Sequence, residues 1–357
     1  MPIDSSRLPP LVVVTGGNGF IGSHIVEALV AAGTPVRIVD RSAAWPGAGA
    51  LPAGVELLVG DLTEPAVARA AVEGAGAICH QAARVGLGVD FGDAPGYVAD
   101  NDTGTVQLLD ALWRSRFRGR FVLAGSMVVY GEGRYRCSRH ATVVAGPRLP
   151  ADLARGQFDP RCPVPACTEL LRWETVGEDA PLDPRNVYAA TKLHQEHLCR
   201  VWGAEAQATV LSLRYHNVYG PRLPRDTPYA GVAALFRSAL LAGRPPTVFE
   251  DGDQARDFVH VRDVARANLA ALAAVDPKPG AYNVASGTPH TVGDLARMLA
   301  DAIDPALAPV ISGRWRLGDV RHIVASAVRA EQELGFRAGI SFEDGVRELA
   351  ADHLHAS

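Results

Sequence analysis

The chain has 357 residues, of which 48% are apolar and 21% charged, and its formal net charge is −4. This composition supports a packed core and excludes a chain that is disordered throughout. It lacks the basic tail or arginine stripe of a nucleic-acid-binding protein, and no apolar run approaches the ~18 residues of a membrane-spanning helix. Residues 1–10 lack the pattern of a secretory signal and are predicted to be a disordered lead-in. Five cysteines in a chain of this length do not make a disulfide scaffold, so a cytoplasmic globular protein is predicted.

The predicted elements alternate between apolar strands and amphipathic helices through the first half of the chain. The predicted strands lie at 11–16, 35–40, 55–62, 77–83 and 120–126. The predicted helices between them lie at 20–33, 66–74 and 101–113. Continuous apolar strands that alternate with helices predict an α/β fold with a doubly wound parallel sheet.

The second half of the chain has a different organisation. Residues 134–180 interrupt the alternation with three cysteines and little periodicity, which predicts an insertion that acts as a lid over the site. The predicted elements that follow are helices at 187–202, 232–242, 261–274, 292–303 and 325–334 and strands at 208–215, 246–249 and 281–284. The predicted domains are a dinucleotide-binding domain at 11–216, which includes the insertion, and a smaller, mainly substrate-binding mixed α/β region at 217–357.

The segment TGGNGFIG at 15–22 spaces its glycines as G-x-x-G-x-x-G between the first strand and the first helix. Glycines let the backbone turn tightly and approach a pyrophosphate, which then lies at the helix N-terminus. Asp40 ends the next strand, where a carboxylate can bind a ribose 2′-hydroxyl and repel a 2′-phosphate. The pattern predicts a Rossmann-type domain that binds NAD; a glycine turn in another α/β sheet is the alternative. Asp61 ends the third strand, where it can reach the adenine or cap the following turn.

The segment NVYAATK at 186–192 places Tyr188 and Lys192 four residues apart. On a helix these two side chains share one face. A lysine there favours the ionised form of a phenol, whose ordinary pKa is about 10. The pair is therefore a candidate base, with an ordinary solvated helix pair as the alternative.

Further motifs, taken with these two, carry a resemblance to a known family. They are VD at 39–40, GDL at 60–62, HQAA at 80–83, NDTGT at 101–105, SMVVYG at 126–131, RYHNVYGPR at 214–222, DGDQARDFVHVRD at 251–263, YNVASG at 282–287 and RLGDVRH at 316–322. Their order and spacing resemble the extended short-chain dehydrogenase/reductase family of nucleotide-sugar enzymes, from residue 12 to about 347. Within it the chain resembles NAD-dependent epimerases of the dTDP-L-rhamnose 4-epimerase and UDP-hexose 4-epimerase subgroup.

The resemblance implies a role for each matching residue. Tyr188 would be the catalytic base, Lys192 would hold the nicotinamide ribose and lower the tyrosine pKa, and Ser126 would hydrogen-bond the reacting sugar oxygen. The implied NAD contacts are Gly16, Gly19, Phe20, Ile21, Gly22, Asp40, Asp61, Leu62, Gln81, Ala82, Ala83, Asn101, Tyr188, Lys192, Tyr215 and Val218. The implied substrate contacts are Ser126, Tyr188, Asn217, Arg256, Arg316 and Arg321. Arginine suits a diphosphate because its planar fork binds phosphate oxygens bidentately, and surface salt bridging is the alternative for each arginine.

The reaction implied is NAD-dependent epimerisation at C4 of a nucleotide-diphospho-sugar through a transient 4-keto sugar. Related 4,6-dehydratases carry Asp-Glu where Met127 and Val128 stand here, and neither of these side chains can move a proton. A 4-ketoreductase acting on a nucleotide-4-keto-6-deoxysugar is the alternative, because it would share every catalytic residue. An NAD-binding sensor on this fold is a third possibility, against which the complete Ser126, Tyr188 and Lys192 set argues.

The resemblance also implies a homodimer that pairs the helix near 103–113 with the Tyr188 helix. The residues that fit either such an interface or the core are Val106, Leu108, Leu109 and Leu112.

The histidines and the insertion cysteines raise the question of a metal. Cys₃His is a known structural zinc set, and the candidate ligands are Cys137, His140, Cys162 and Cys167. The loose C-x₄-C spacing and the stiff Pro163 and Pro165 count against zinc. A lid loop with buried thiols is therefore preferred, and no metal is predicted. The scattered histidines His80, His216 and His260 are predicted to pack or to form hydrogen bonds.

Overall fold

A computed structural model describes residues 4–47, 49–86, 90–224 and 231–352. The strands are β1 Val12–Thr15, β2 Val36–Asp40, β3 Val55–Val59, β4 Ala77–His80, β5 Arg120–Ser126, β6 Arg134–Cys137, β7 Ala141–Val143, β8 Arg172–Glu174, β9 Thr209–Tyr215, β10 Asn217–Tyr219, β11 Thr247–Val248, β12 Ala255–His260, β13 Gly280–Val284, β14 Pro289–Thr291 and β15 Val310–Ile311. The α-helices are α1 Phe20–Ala31, α2 Pro65–Val72, α3 Ala94–Tyr97, α4 Gly104–Arg114, α5 Pro150–Leu153, α6 Val187–Ala206, α7 Val232–Leu241, α8 Val261–Ala273, α9 Val292–Ile303, α10 Val328–Leu334 and α11 Phe342–Ala351. A π-helical turn, Val98–Thr103, joins α3 to α4.

Seven strands form a parallel sheet in the order β3-β2-β1-β4-β5-β9-β13. The central strand β1 is buried along its whole length, because Val12 pairs with Val36 on one side and Ala77 on the other while helices cover both faces. The chain reverses its direction of travel across the sheet between β1 and β4. A crevice forms outside the carboxyl ends of the strands at such a point. The predicted Rossmann-type doubly wound sheet is confirmed.

Two hydrophobic cores lie on the two faces of the sheet. On one face α1 and α8 contribute Ile25 and Val264 to a core with β1 and β9. On the other face α2, α4 and α6 contribute Ala68, Leu108 and Cys199. Both cores hold the strand ends, and therefore the crevice, at fixed positions.

The C-terminal part of the chain contributes to both layers of the molecule. β13 pairs with β9 at the edge of the main sheet, and α8 packs against α1. The remaining elements, α7, α9 and α11 with β10, β12 and β14, surround a third core that contains Phe236, Leu295 and Phe342. The predicted region 217–357 is therefore not spatially separate, because residues 261–284 return to the dinucleotide-binding layers.

Two segments differ from their predicted character. In the lead-in, Ser5–Arg7 forms a 3₁₀ turn capped by Asp4, and Leu8 packs against the main core, so residues 4–10 are not a disordered lead-in; residues 1–3 lie outside the described residues. In the insertion, β6, β7 and β8 form a small antiparallel sheet. Strands of three or four residues are too short to show a two-residue alternation in the sequence. None of the helices in the described ranges is both long and apolar enough to cross a bilayer.

Candidate active site

The glycine segment forms a tight turn between β1 and α1 that has no room for side chains. Gly16 has φ +67°, and a Cβ on it would lie 2.7 Å from the Ala82 nitrogen. A Cβ on Gly22 would lie 2.1 Å from the Gly16 carbonyl oxygen. Gly19 occupies the N-cap of α1 and has no side chain to offer its first N–H groups. These N–H groups can therefore receive a pyrophosphate, as the sequence predicted.

The two acidic residues at strand ends have different surroundings. The Asp40 carboxylate accepts hydrogen bonds from the backbone N–H groups of Asn18 at 3.0 Å and Ser42 at 2.9 Å, which fix it beside the glycine turn. The Asp61 carboxylate accepts from both the backbone and the hydroxyl of Thr63 at 2.8 Å. It also pairs with Arg41 at 2.8 Å. Asp61 therefore caps the following turn, the alternative that the sequence left open.

Buried polar groups form hydrogen bonds with the segment that follows β4. Asn101, on the π-helical turn, accepts from the Arg84 backbone N–H at 2.7 Å and donates to the Thr191 hydroxyl at 3.0 Å. The Tyr215 hydroxyl donates to Gln81 Oε1 at 3.0 Å. Asn101 is fully buried and Tyr215 is 6% exposed, so the described contacts of both are with protein groups, and their contact with NAD stays a prediction.

The other predicted cofactor residues lie along the same carboxyl edge. Ile21 and Val218 pack against the core on one face of the sheet. Leu62 and Ala82 pack on the other face. Phe20 begins α1 and Ala83 follows β4.

Thr15, which no sequence motif identified, holds the segment after β4 in place. Its hydroxyl lies 2.7 Å from His80 Nδ1 and accepts a hydrogen bond from the Ala82 N–H at 3.1 Å. A hydroxyl at the end of a strand that runs into a glycine turn is the signal that could have identified it.

The structure brings Ser126, Tyr188 and Lys192 together where β5 ends against the first turns of α6. Asn186 caps α6 by accepting from the Ala189 N–H at 2.8 Å, which places Tyr188 in the first turn. The Ser126 side chain lies close enough to the Tyr188 phenol to lower its pKa. Lys192 follows one turn later, is 3% exposed, and donates from Nζ to the Ala124 carbonyl at 3.0 Å.

Burial dominates the electrostatics of this constellation. It raises the pKa of Tyr188 to about 12, against the lowering effect of the Ser126 hydrogen bond. It lowers the pKa of Lys192 to about 8, with Glu196 the largest opposing influence. The resemblance implies a lowered pKa for Tyr188. In the structure of the chain without NAD, the pKa of Tyr188 is raised instead. The physical reason is that desolvation is large and the lysine ammonium is directed to a backbone carbonyl.

Arg256 has an unusual environment at the predicted substrate end. Its guanidinium donates to the carbonyls of Ala255 at 2.9 Å, Val320 at 2.7 Å and Arg321 at 2.8 Å. Within the described ranges it forms no salt bridge, and burial lowers its pKa. A half-buried cation that forms no salt bridge is favourable when an anionic ligand supplies the opposite charge.

The other predicted substrate residues differ in how free they are to bind a ligand. Arg316 is exposed, with its guanidinium 5.0 Å from the centre of the Phe249 ring. Arg321 is 2% exposed and pairs with Asp159 at 2.9 Å, Glu250 at 3.0 Å and Asp251 at 2.7 Å.

The geometry of Arg321 is that of a neutralised structural arginine, so direct phosphate binding by Arg321 is not supported. The buried Oδ1 of Asn217 has no hydrogen-bond partner among the described residues, as expected for an acceptor that faces a ligand.

Comparison with known proteins agrees with this geometry. The sequence profile of the NAD dependent epimerase/dehydratase family matches residues 12–150 and 162–285. This chain belongs to the NAD-dependent epimerase/dehydratase family. The family assignment makes it an enzyme with NAD as its cofactor, and the glycine turn and Asp40 described above fit that cofactor. The unmatched residues 151–161 fall inside the insertion.

Two curated relatives and one solved structure show the range of this family. The chain is 33% identical over 348 residues to dTDP-L-rhamnose 4-epimerase of Burkholderia thailandensis, covering 95% of this chain and 93% of the relative. It is 29% identical to GDP-6-deoxy-D-mannose reductase of Pseudomonas aeruginosa, covering 95% of each. The NAD complex of UDP-glucose 4-epimerase from Thermus thermophilus superposes with a TM-score of 0.75 at 29% identity, covering 97% of this chain and all of that one.

Four buried histidines give a testable prediction: the motif residues His80, His216 and His260, which pack in the interior, and His24. Burial lowers the pKa of His80 and His216 to about 3, and that of His24 and His260 to about 4, from an ordinary 6.5. The unfolded chain therefore takes up protons below about pH 6.5 that the folded chain does not, so stability falls as pH decreases.

We expect the free energy of unfolding to drop by about 5 kcal/mol between pH 7 and pH 5.5. Urea titration at the two pH values measures this change in the free energy of unfolding. The control is His197→Gln, which removes an exposed histidine. Equal free energies would contradict the prediction.

Proposed function

We propose that this enzyme interconverts the C4 epimers of a nucleotide-diphospho-sugar, and that the sugar is carried on dTDP or UDP. The observation that carries the proposal is the cluster of Ser126, Tyr188 and the buried Lys192 where β5 ends against the first turns of α6, at the carboxyl edge beside the glycine turn. The 33% identity to a dTDP-L-rhamnose 4-epimerase makes dTDP-L-rhamnose the first substrate to test.

The roles of the protein groups follow from their positions. NAD, when bound, supplies a reversible hydride acceptor. Tyr188 accepts the proton of the C4 hydroxyl and later returns it to the ketone oxygen, while Ser126 hydrogen-bonds the same oxygen. Lys192 holds the nicotinamide ribose, and Ser126 offsets part of the rise that burial gives to the pKa of Tyr188.

The residues after Ser126 limit the reaction to oxidation and reduction. Met127 and Val128 follow it directly, and their side chains carry no group that exchanges protons. Elimination of water needs an acid and a base at the neighbouring carbons. The keto sugar therefore keeps its hydroxyl groups until the hydride returns.

The nucleotide diphosphate is proposed to lie against Arg256 and Arg316, with Asn217 nearer the sugar. Arg256 is half-buried and forms no salt bridge among the described residues, and Arg316 is exposed and able to move onto a ligand. A guanidinium suits this position because its planar fork binds two phosphate oxygens at once.

The test uses purified protein with no added cofactor. It is incubated separately with dTDP-L-rhamnose, dTDP-glucose, UDP-glucose and UDP-glucuronate, and the anomeric protons are followed by NMR. A new C4 epimer with no cofactor consumed is expected. Turnover of a 4-keto sugar that requires supplied NADH or NADPH would instead identify a ketoreductase, the alternative that the 29% identical reductase favours.

We also propose a homodimer through α4 and α6. Leu108, Leu109 and Leu112 are buried in the core, whereas Val106 is 43% exposed and Trp113 is 51% exposed. On α6, Val201 is 55% exposed. Apolar side chains exposed on two adjacent helices fit a four-helix interface with a second copy.

Replacement of Trp113 and Val201 by Asp is expected to convert the dimer to a folded monomer, because it would place charges in an apolar interface. Light scattering after size exclusion measures the mass. Leu235→Asp, at a 47% exposed position on α7, is the matched control and should stay dimeric. A monomeric unaltered protein would contradict the proposal.

A further inference from the structure

Four candidate metal-ligating side chains of the insertion meet at one point. The ligand atoms of Cys137, His140, Cys162 and Cys167 all lie within 4.8 Å of one another. His140 Nδ1 lies 3.5 Å from the sulfur of Cys137 and 3.4 Å from that of Cys162. The sulfurs of Cys137 and Cys167 are 3.9 Å apart.

The three separations between 3.4 and 3.9 Å fit a tetrahedron around zinc. With Zn–S near 2.3 Å and Zn–N near 2.0 Å, tetrahedral ligands lie about 3.8 Å apart for two sulfurs and about 3.5 Å apart for sulfur and nitrogen. A disulfide would need sulfurs about 2.05 Å apart. All five cysteines of the chain are free thiols. The geometry therefore matches shared coordination and not covalent pairing.

The local backbone supports the same interpretation. Cys137 and His140 flank the turn between β6 and β7, and Ala141 after it has φ +57°. In the second loop Ala166 has φ +64°, which curls the chain between Cys162 and Cys167. The C-x₄-C spacing that counted against zinc in the sequence is thus accommodated by this curl.

A backbone N–H group is also directed at one of the sulfurs. The N–H of Arg139 donates to the Cys137 sulfur at 3.4 Å. Such an N–H donor stabilises a thiolate, the form in which cysteine binds metal.

The insertion is too small to be held together by its apolar groups alone. Its described core cluster consists of Tyr135, Cys137, Ala145, Cys162 and Leu171, of which two are candidate ligands. Modules of this size generally need a metal or a disulfide to stay folded.

The insertion also contacts the substrate end of the site. The Tyr135 hydroxyl accepts from the His322 N–H at 3.2 Å, and Arg148 donates to Glu250 at 2.8 Å and to the Asp319 carbonyl at 2.6 Å. These contacts hold residues 319–322, whose carbonyls at 320 and 321 bind the Arg256 guanidinium.

We propose that Cys137, His140, Cys162 and Cys167 bind one structural zinc ion, which fixes the insertion against the segment that orients Arg256. Three thiolates and one imidazole leave no open position on a tetrahedral ion, so this zinc is structural and takes no part in the chemistry.

The test measures metal in the full-length protein, purified without chelator from zinc-supplemented cells. Elemental analysis is expected to give one zinc per chain, and a mercurial reagent should release it into a colorimetric zinc indicator. Cobalt exchanged into the site should show the visible bands of tetrahedral thiolate coordination. The double variant Cys162→Ser with Cys167→Ser should lose the metal, whereas Cys199→Ala, which removes a buried cysteine of the main core, should keep it.

Every outcome of this experiment decides the proposal. The zinc proposal would be overturned if the unaltered protein carried no zinc and its insertion thiols reacted freely with a thiol reagent. Stoichiometric iron in place of zinc would also overturn it. If the double variant does not fold, mercurial release from the unaltered protein still gives the number of zinc ions per chain. Zinc content needs no turnover, so it is independent of the epimerase proposal. For a folded, zinc-free variant we expect a KM for the nucleotide sugar raised about tenfold or more with bound NAD retained.

Discussion

Tyr188→Phe is expected to lower kcat by about 10²–10⁴-fold, the usual contribution of a positioned general base. The ring would still pack against α3, where Tyr97 lies with its ring centre 6.1 Å away, so the fold should persist. The lost hydroxyl is the one whose pKa Ser126 lowers. Steady-state kinetics measures the effect, and the absorbance of protein-bound NAD should show that the cofactor is retained.

Tyr282→Phe is the matched control for this substitution. Tyr282 is a buried tyrosine whose hydroxyl donates to the Lys278 carbonyl at 2.6 Å and to Glu333 at 2.7 Å, on the outer strand β13. Its removal should cost about 1 kcal/mol of stability and leave kcat within twofold. If Tyr188→Phe kept kcat within tenfold, another group would have to be the base.

Arg256→Met is expected to raise the KM for the nucleotide sugar by about 10–100-fold, because a charge-assisted hydrogen bond to phosphate contributes about 1.5–3 kcal/mol. Retained NAD should be unchanged, since Arg256 lies on β12 and the glycine turn lies between β1 and α1. The guanidinium also binds three carbonyls, so the melting temperature of the variant must be measured alongside its kinetics.

Two further variants separate charge from shape at this position. Arg256→Lys keeps the charge but loses the planar fork, and an intermediate KM is expected. Arg297→Met removes an exposed arginine that pairs with Asp294 on α9 and should leave KM unchanged. A KM for Arg256→Met equal to that of the unaltered protein would remove Arg256 from the substrate site.

The parts of the fold and site that the sequence could predict are those set by local pattern. The glycine turn follows from residues whose missing Cβ atoms can be recognised directly, as at Gly16 and Gly22. The pairing of Tyr188 with Lys192 follows from helical spacing, and the parallel sheet from continuous apolar strands.

The remaining features depend on long-range contacts that no local pattern records. The return of β13 to the main sheet places residues 280–284 beside residues about 70 positions earlier. Arg321 matches a phosphate-binding motif, yet three acidic residues from two other segments neutralise it. The pKa of Tyr188 rises because of burial, which a sequence does not give. Likewise, the insertion cysteines meet only because two loops fold onto each other.

The fate of the C4 hydrogen distinguishes oxidation at C4 from proton exchange at a ring carbon. Protein without added cofactor is incubated in D₂O with dTDP-L-rhamnose, or with whichever nucleotide sugar it converts, and the product is examined by NMR. Return of the same hydride to C4 predicts an epimer that carries protium at C4 and no solvent deuterium at any ring carbon. Deuterium at C4, or at C3 or C5, would show that a carbon-bound proton is exchanged with solvent, and would contradict oxidation at C4 with Tyr188 as the base.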